Sequence, residues 1–303
     1  VNNLKYLRKE LFLPNSNKRN VYTALGLYQE NIFKFWLCEA LSNNSKLFCI
    51  QHGNNYGTSK VLHSEYLERK LCDKFLTWGW NDKSKKIKKF SCTKLIDRNR
   101  FKRVSSKKIM VVGALPQAYR AEITTGNLFG QRSNIYIKIL KKTFQLINKI
   151  NFGNIYFRPY PQEIYKNYNL TNEIKDTFEG IKISDSKSDF LRTLKKFGLA
   201  VYLDDSTSFL ETMALNKPTM IILSKELYFD HHRNSAVPFY KKLKKANILH
   251  DDPKALTKFI EKINFDFPQW WFSAKTQNIK NQFCSQYCNY IEKPFFELKK
   301  INF

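Results

Sequence analysis

The stretch from Gly198 to Leu223 reads GLAVYLDDSTSFLETMALNKPTMIIL. Two uninterrupted apolar runs, LAVYL and TMIIL, flank two acids, three hydroxyl residues and a segment with helical spacing. Apolar runs without polar alternation belong to strands buried on both faces, so the stretch predicts a β-α-β unit of a parallel sheet. Its central loop, Asp204 to Ser208, then falls at the carboxyl end of a strand and the start of a helix. Two readings of that loop stand side by side. The hydroxyls of Ser206, Thr207 and Ser208 can cap the helix, with Glu211 completing a capping box. Equally, unpaired N–H groups and the positive end of the helix dipole can hold a phosphate, with Asp205 in support and Glu211 on a ribose.

The same rhythm extends outward. KKIMVVGAL opens a sheet at residue 107, IYIKILKKTFQLINKI is a helix, NIYFRPYP a strand, and SDFLRTLKKFG a helix. Alternation this regular from 107 to 223 predicts a doubly wound α/β domain whose ligand lies at the carboxyl ends of its strands. Upstream, residues 21–42 carry apolar groups at helical spacing and precede the short strand KLFCIQ. A Gly- and Asn-rich turn, HGNNYGTSK, an amphipathic segment over 64–72 and DKFLTWGW complete a second α/β lobe. The basic, weakly patterned run from Asn81 to Ser106 is the expected connection. The boundaries are therefore 1–105 for a first Rossmann-like lobe, 106–265 for a second, and 266–303 for a helical tail with two adjacent tryptophans.

A chain of 303 residues, 43% hydrophobic and 15% aromatic, has ample material for two packed cores. The six cysteines form no CxxC pair and have no histidine at metal-ligand spacing, which argues for a reducing compartment without disulfides and without a metal site. No window is apolar enough to span a bilayer. The net charge of +26 attracts anions at long range. Most of the excess is Lys on solvated helix faces such as SKKIKKF and FYKKLKK, a pattern that compositional drift alone produces; among partners, acidic lipid surfaces and nucleotide sugars rank ahead of nucleic acid, because aromatics are not interleaved with the basic runs and no nucleic-acid module is present. The first residue is Val1, and the chain reads as a fragment or processed product.

Two further elements carry chemistry. Arg158 ends a strand and is followed by Pro159-Tyr160-Pro161, which fixes an extended geometry suited to a phosphate grip. His52, between Gln51 and Gly53 at the end of a first-lobe strand, is a candidate general base. Together with Ser206–Ser208 these residues predict one cleft between the lobes.

QHGNNYG, DKFLTWGW, RPYP, LDDSTSFLETMALNKPTMI, HRNSAVPFYKKLKKANILHDDPKAL and the later WW together resemble bacterial surface-carbohydrate transferases of the leptospiral type. These are GT-B-like glycosyltransferases, distantly similar to capsule Kdo transferases. The resemblance implies an α/β fold of two Rossmann-like lobes facing a cleft, with the carboxyl-terminal helix packing back on the first lobe. It implies a nucleotide-sugar donor held by the second lobe, a glycan or glycolipid acceptor, and no cofactor or obligatory metal. Kdo and sialic acid transferases hold the donor phosphate with a His-Pro pair and a Ser-Ser or Ser-Thr pair. Tyr160-Pro161 stands where the first is expected and departs from it, whereas Ser206-Thr207 matches the second. Relatives of this kind are longer at the amino end.

The resulting expectation is an inverting, metal-independent glycosyltransferase of surface polysaccharide or lipopolysaccharide synthesis, cytoplasmic and peripheral to the inner membrane. His52 is catalytic. Arg158, Tyr160, Ser206, Thr207, Ser208 and Glu211 bind nucleotide and phosphate, and Gln51, Gly53 and Asp205 support them. The alternative is a noncatalytic envelope-carbohydrate module on the same fold.

Overall fold

A computed structural model of the chain describes residues 20–116, 131–161, 170–228 and 231–294, with 296 and 298. The first sheet consists of β1 (Asn20–Thr23), β2 (Lys46–Ile50), β3 (Lys74–Thr77) and β4 (Ile87–Lys89), parallel and in that order. Three helices connect its strands: α1 (Gly26–Gln29), α2 (Asn31–Ser42) and α3 (His63–Leu71). Two expectations need correction here. The helical spacing over 21–42 conceals a strand, because Asn20 to Thr23 pair with Lys46 to Cys49 and helix begins only after that ladder. The basic run from Asn81 also contributes β4, paired through Ile87 with Phe75, so the passage between sheets is shorter than its composition suggests.

The second sheet has the chain order β5 (Ile109–Val112), α4 (Gln131–Ile150), β6 (Ile155–Arg158), α5 (Leu170–Thr177), β7 (Lys182–Ile183), α6 (Phe190–Leu194), β8 (Leu199–Tyr202), α7 (Thr207–Ala214), β9 (Thr219–Ile222), α8 (Lys225–Tyr228), α9 (Val237–Lys245), β10 (Leu249–His250) and α10 (Pro253–Lys262). In space its strands run β10-β9-β8-β5-β6-β7, all parallel. Strand order thus reverses between β5 and β8, and the helices after those strands diverge to open a crevice at their carboxyl ends. Every residue of β5, β8 and β9 is buried, which accounts for their unbroken apolar sequences. The stretch from Pro116 to Ser133, whose Gly and Thr content predicts a loop, lies mostly outside the described residues, and its last three positions, from Gln131, already belong to α4.

The tail comprises α11 (Phe267–Trp271) and α12 (Ala274–Tyr287). Both tryptophans are anchors of the second lobe: Trp270 Nε1 donates to Ala246 O at 2.9 Å and Trp271 Nε1 to Asn216 Oδ1 at 3.1 Å. Helix α12 lies on the same lobe, with Phe283 edge-on to Phe209 and Tyr240. Only its end crosses to the first lobe. There Asn289 N donates to Trp78 O at 2.8 Å and Cys92 N to Asn289 O at 2.7 Å.

That crossing requires a close approach at Gly79, which has φ +119 and would place a Cβ 2.2 Å from the backbone oxygen of Ser285. Neither the backbone conformation nor the space admits a side chain. Gly79→Ala should destabilise the protein by ~2 kcal/mol or more, through strain at positive φ and separation of the tail from the first lobe. A lowered urea midpoint, with faster hydrogen exchange at 285–291, is the expected readout.

Candidate active site between the lobes

The second lobe contributes the loop between β8 and α7. Asp205 is buried and accepts hydrogen bonds from Tyr240 OH at 2.9 Å and His232 Nε2 at 3.1 Å. Burial alone would raise its pKa. The bond and charge of His232, the charge of His231 and the bond from Tyr240 outweigh that and hold the carboxyl below its usual range. Its neighbour Asp204 has the opposite fate, pushed up to about 7 by burial and by the charge of Asp205. Adjacent carboxyls therefore divide into an ionised member fixed in a network and a member poised to exchange a proton near neutrality.

Helix α7 starts immediately after them. Its N-cap, Ser206, makes no side-chain capping bond, and its hydroxyl instead pairs with Ser208 Oγ at 3.0 Å. Helices α6, α10, α11 and α12 differ: Asp189, Asp252, Asp266 and Ser273 cap them. The α7 N-terminus is thus left with N–H groups and hydroxyls directed to the crevice end of the sheet, an arrangement that favours an anion.

From the first lobe the loop after β2 reaches this helix. Asn54 N donates to Thr207 Oγ1 at 3.0 Å. A Cβ on Gly53 would sit 3.3 Å from the same oxygen, so a residue without a side chain suits this contact. The carboxamide nitrogen of Asn54 is buried without a partner among the described residues.

His52 stands beside this junction, its side chain 24% exposed. Its Nδ1 is 3.1 Å from Tyr56 OH and 3.7 Å from Glu68 Oε1. Burial, helped by the charge of Lys94, depresses its pKa below 6.5 against the opposing hydrogen bond that the ring donates to the Ala24 backbone, so the ring is neutral at pH 7. Behind it the Glu68 carboxyl is pushed up to about 8, chiefly by burial.

A strap from the second lobe closes the junction. Ser59 and His232 form an antiparallel bridge, Arg233 N donates to Thr58 O at 2.7 Å, and Ser59 Oγ meets His231 Nε2 at 2.8 Å. The strap is pinned by Arg233, whose two terminal nitrogens grip the buried carboxylate of Glu65 at 3.0 and 2.9 Å. Arg69 Nη1 and Gly57 N complete the set of donors to Glu65, both at 2.9 Å.

The candidates read from the sequence thus have different settings. His52, Gly53 and Ser206–Ser208 are brought to one junction. Asp205 is beside it, with its carboxylate engaged by Tyr240 and His232. Gln51 is structural: its Oε1 accepts from Trp78 N and Trp80 Nε1, both at 2.8 Å, and its Nε2 donates to Gly53 O. Arg158 requires correction as a phosphate clamp. Its Nη1 donates to Asp185 O and its Nη2 to Ser188 O and Ser186 O, so both terminal nitrogens are engaged by the loop between β7 and α6. It also ends β6, two strands from β8 and thus roughly 10 Å away in the sheet. Tyr160, 41% exposed, follows the same strand. Glu211, one turn into α7, is pushed up to about 7 by burial, with the cations Lys94 and Arg98 opposing that rise. Sequence reasoning gave no individual role to Asp204, Glu68, Glu65 or the His231-His232-Arg233 triplet. Only the HHR cluster among five histidines could have signalled the strap.

The model of the LIC12162 family transferases matches residues 1–301. The chain belongs to that family. It is accordingly a transferase, and the noncatalytic alternative gives way. Among solved structures it is similar to the S. aureus MnaA–UDP complex, with TM-score 0.51 and 12% identity over 98% of this chain and 77% of that one. It is also similar to the spinosyn rhamnosyltransferase SpnG bound to spinosyn aglycone, with TM-score 0.51 and 8% identity over 97% of this chain and 76% of that one. A UDP-forming α,α-trehalose-phosphate synthase from Burkholderia xenovorans gives TM-score 0.50 and 9% identity over 98% and 76%. These likenesses bear on the fold, which is the two-lobed GT-B arrangement. No curated protein matches the chain.

Glu68 allows a test of the electrostatics in the transferase. The folded carboxyl holds its proton up to about pH 8, whereas an unperturbed one releases it near 4.5, so the folded state binds more protons across that window. Stability therefore falls as pH rises through it. Glu68→Gln, which cannot ionise, should exceed the parent in stability above pH 8 by on the order of a few kcal/mol, with the difference largely gone at pH 5. Urea denaturation at several pH values measures this.

Proposed function

We propose that the group transferred is a glycosyl residue, moved with inversion from a nucleotide sugar to a hydroxyl of a surface polysaccharide or lipopolysaccharide acceptor. The observation that carries this reading is the junction at which Asn54 N of the first lobe meets Thr207 Oγ1 of the second at 3.0 Å, beside a neutral His52. In this reading the neutral imidazole takes the proton of the acceptor hydroxyl as its oxygen attacks the anomeric carbon. The bond from that carbon to the phosphate oxygen breaks, and the nucleotide leaves with the electron pair. The α7 N-terminus and the hydroxyls of Ser206, Thr207 and Ser208 receive the negative charge, the part a divalent cation would otherwise take. Glu211 is assigned to the ribose. We assign Arg158 to holding the 185–188 loop, in view of its carbonyl partners.

We place the reaction in the cytoplasm, at the membrane face. In support, all six cysteines are free and five are buried, as suits a reducing compartment. Among the described residues no helix is long and apolar enough to cross a membrane. The excess of 52 basic over 26 acidic residues supplies attraction to acidic headgroups.

Calorimetry with UDP, GDP, CDP and CMP should identify a nucleotide that binds, and its sugar conjugates are then the donors to assay. His52→Ala should lower kcat by about 10²–10⁴ with nucleotide affinity unchanged. Ser206→Ala combined with Thr207→Ala should weaken nucleotide binding and lower kcat/KM by about 10² or more. Because His52 must be neutral, the acid limb of kcat/KM should have its midpoint below pH 6.5 and be lost with the imidazole. Full activity in His52→Ala would remove the base from this scheme.

A further inference from the structure

Asn54 carries a hydrogen-bond donor that the fold does not use. The residue is 8% exposed, and its carboxamide nitrogen has no partner among the described residues. Native structures rarely bury a donor unmet, because the water lost on burial is then not replaced. The loop that carries Asn54 is fixed without the carboxamide. At its start Gln51 Nε2 donates to Gly53 O at 2.8 Å, and beyond the turn Asn55 O accepts from Ser59 N at 2.9 Å. The junction with the second lobe uses the Asn54 main-chain N–H, on Thr207 Oγ1 at 3.0 Å. Asn55 Oδ1 and Thr58 Oγ1 of the same loop are also buried without partners among the described residues, but each can accept from a water, whereas an amide nitrogen can only donate. What Asn54 lacks is therefore an acceptor.

The place where Asn54 meets α7 presents more donors. Thr207 is the first residue of that eight-residue helix, its N-cap Ser206 makes no side-chain capping bond, and the hydroxyls of Ser206 and Ser208 pair with each other at 3.0 Å. First-turn N–H groups and the positive end of the helix dipole add to them. Two carboxyls precede the helix, and neither is the missing acceptor. Asp205 is engaged by His232 and Tyr240, and Asp204, pushed up to about 7 by burial and by the charge of Asp205, makes no bond to Asn54 Nδ2.

We infer that Asn54 is the first-lobe ligand of a phosphate: its Nδ2 donates to an oxygen of the phosphate held at the start of α7, so that one anion is gripped from both lobes. That this phosphate belongs to the sugar donor rests on the glycosyl-transfer reading above; the anion binding itself does not. The nitrogen is shut away from bulk water, so the anion is enclosed at the seam with it. Loading then requires the lobes to part, and binding holds them together.

The test uses inorganic pyrophosphate, and in parallel UDP, GDP, CDP and CMP, with calorimetry on the whole chain. Asn54→Ala should weaken the pyrophosphate complex by roughly tenfold or more, the loss of one hydrogen bond to a charged group. Asn54→Asp, which sets a carboxylate against the anion in nearly the same volume, should weaken it further. Both variants keep the main-chain N–H on Thr207, and a urea midpoint for each establishes that it is folded. On the unaltered protein, pyrophosphate should slow hydrogen exchange over 53–58 as well as 206–210. Absence of pyrophosphate binding, or protection confined to the second lobe, would overturn the assignment. Affinity indifferent to both substitutions would do so too, and would leave the carboxamide to an enclosed water. Pyrophosphate binding that needs Asn54, with no nucleotide bound, supports the anion site and sets aside the donor reading; nucleotide binding indifferent to Asn54 does the reverse.

Discussion

One buried carboxylate ties the two lobes together. Glu65, 1% exposed, receives both terminal nitrogens of Arg233 from the second lobe and Arg69 Nη1 and Gly57 N from the first. A carboxylate has about four acceptor positions, and here each has a donor, which is the condition under which a buried charge is tolerated. With the anchor satisfied, the strap residues Ser59 and His232 can pair as backbone, and the loop carrying His52 is held at its far end by Gly57. Geometry at the junction is thus set by a salt bridge several residues from any candidate reacting group.

The tail supplies a second constraint of the same kind. Helix α12 packs on α7 through Phe283 and Phe209, then inserts Asn289 between Trp78 and Cys92 of the first lobe. The helix whose N-terminus faces the crevice is therefore braced along its side by a segment that also grips the opposite lobe. Around it, burial sorts the titratable groups: Asp205 is kept ionised by His232 and Tyr240, Asp204 is moved to about 7, and His52 is kept neutral. Such a division of acid and base states follows from which neighbours each group has, not from residue type.

Much of the second lobe was legible because its strands are buried on both faces and hence appear as unbroken apolar runs, LAVY and TMII among them. The first lobe was harder. β1 and β4 are edge strands with exposed residues, so their sequences lack that signature and were taken as part of a helix and as linker. At the site, the Ser206–Ser208 cluster was legible from helix-start chemistry. Arg158 illustrates the limit: a strand-ending Arg before two prolines carries the same sequence signal whether its guanidinium faces a phosphate or the carbonyls of Asp185 and Ser188. Gln51 misled in the same way, being a polar neighbour of His52 whose hydrogen bonds serve the Trp78–Trp80 turn.

The sequence by itself determined the parallel α/β class, two lobes, and a helix start at Ser206 at the end of a buried strand, because each follows from local periodicity and capping chemistry. Only the tertiary structure decided which groups meet. Asn54 and Thr207 lie 153 positions apart, Glu65 and Arg233 168 positions apart, and no local pattern encodes such a pairing. Those contacts arise when two sheets and a returning tail bury their apolar faces together, and the polar groups left at the seam must then satisfy one another.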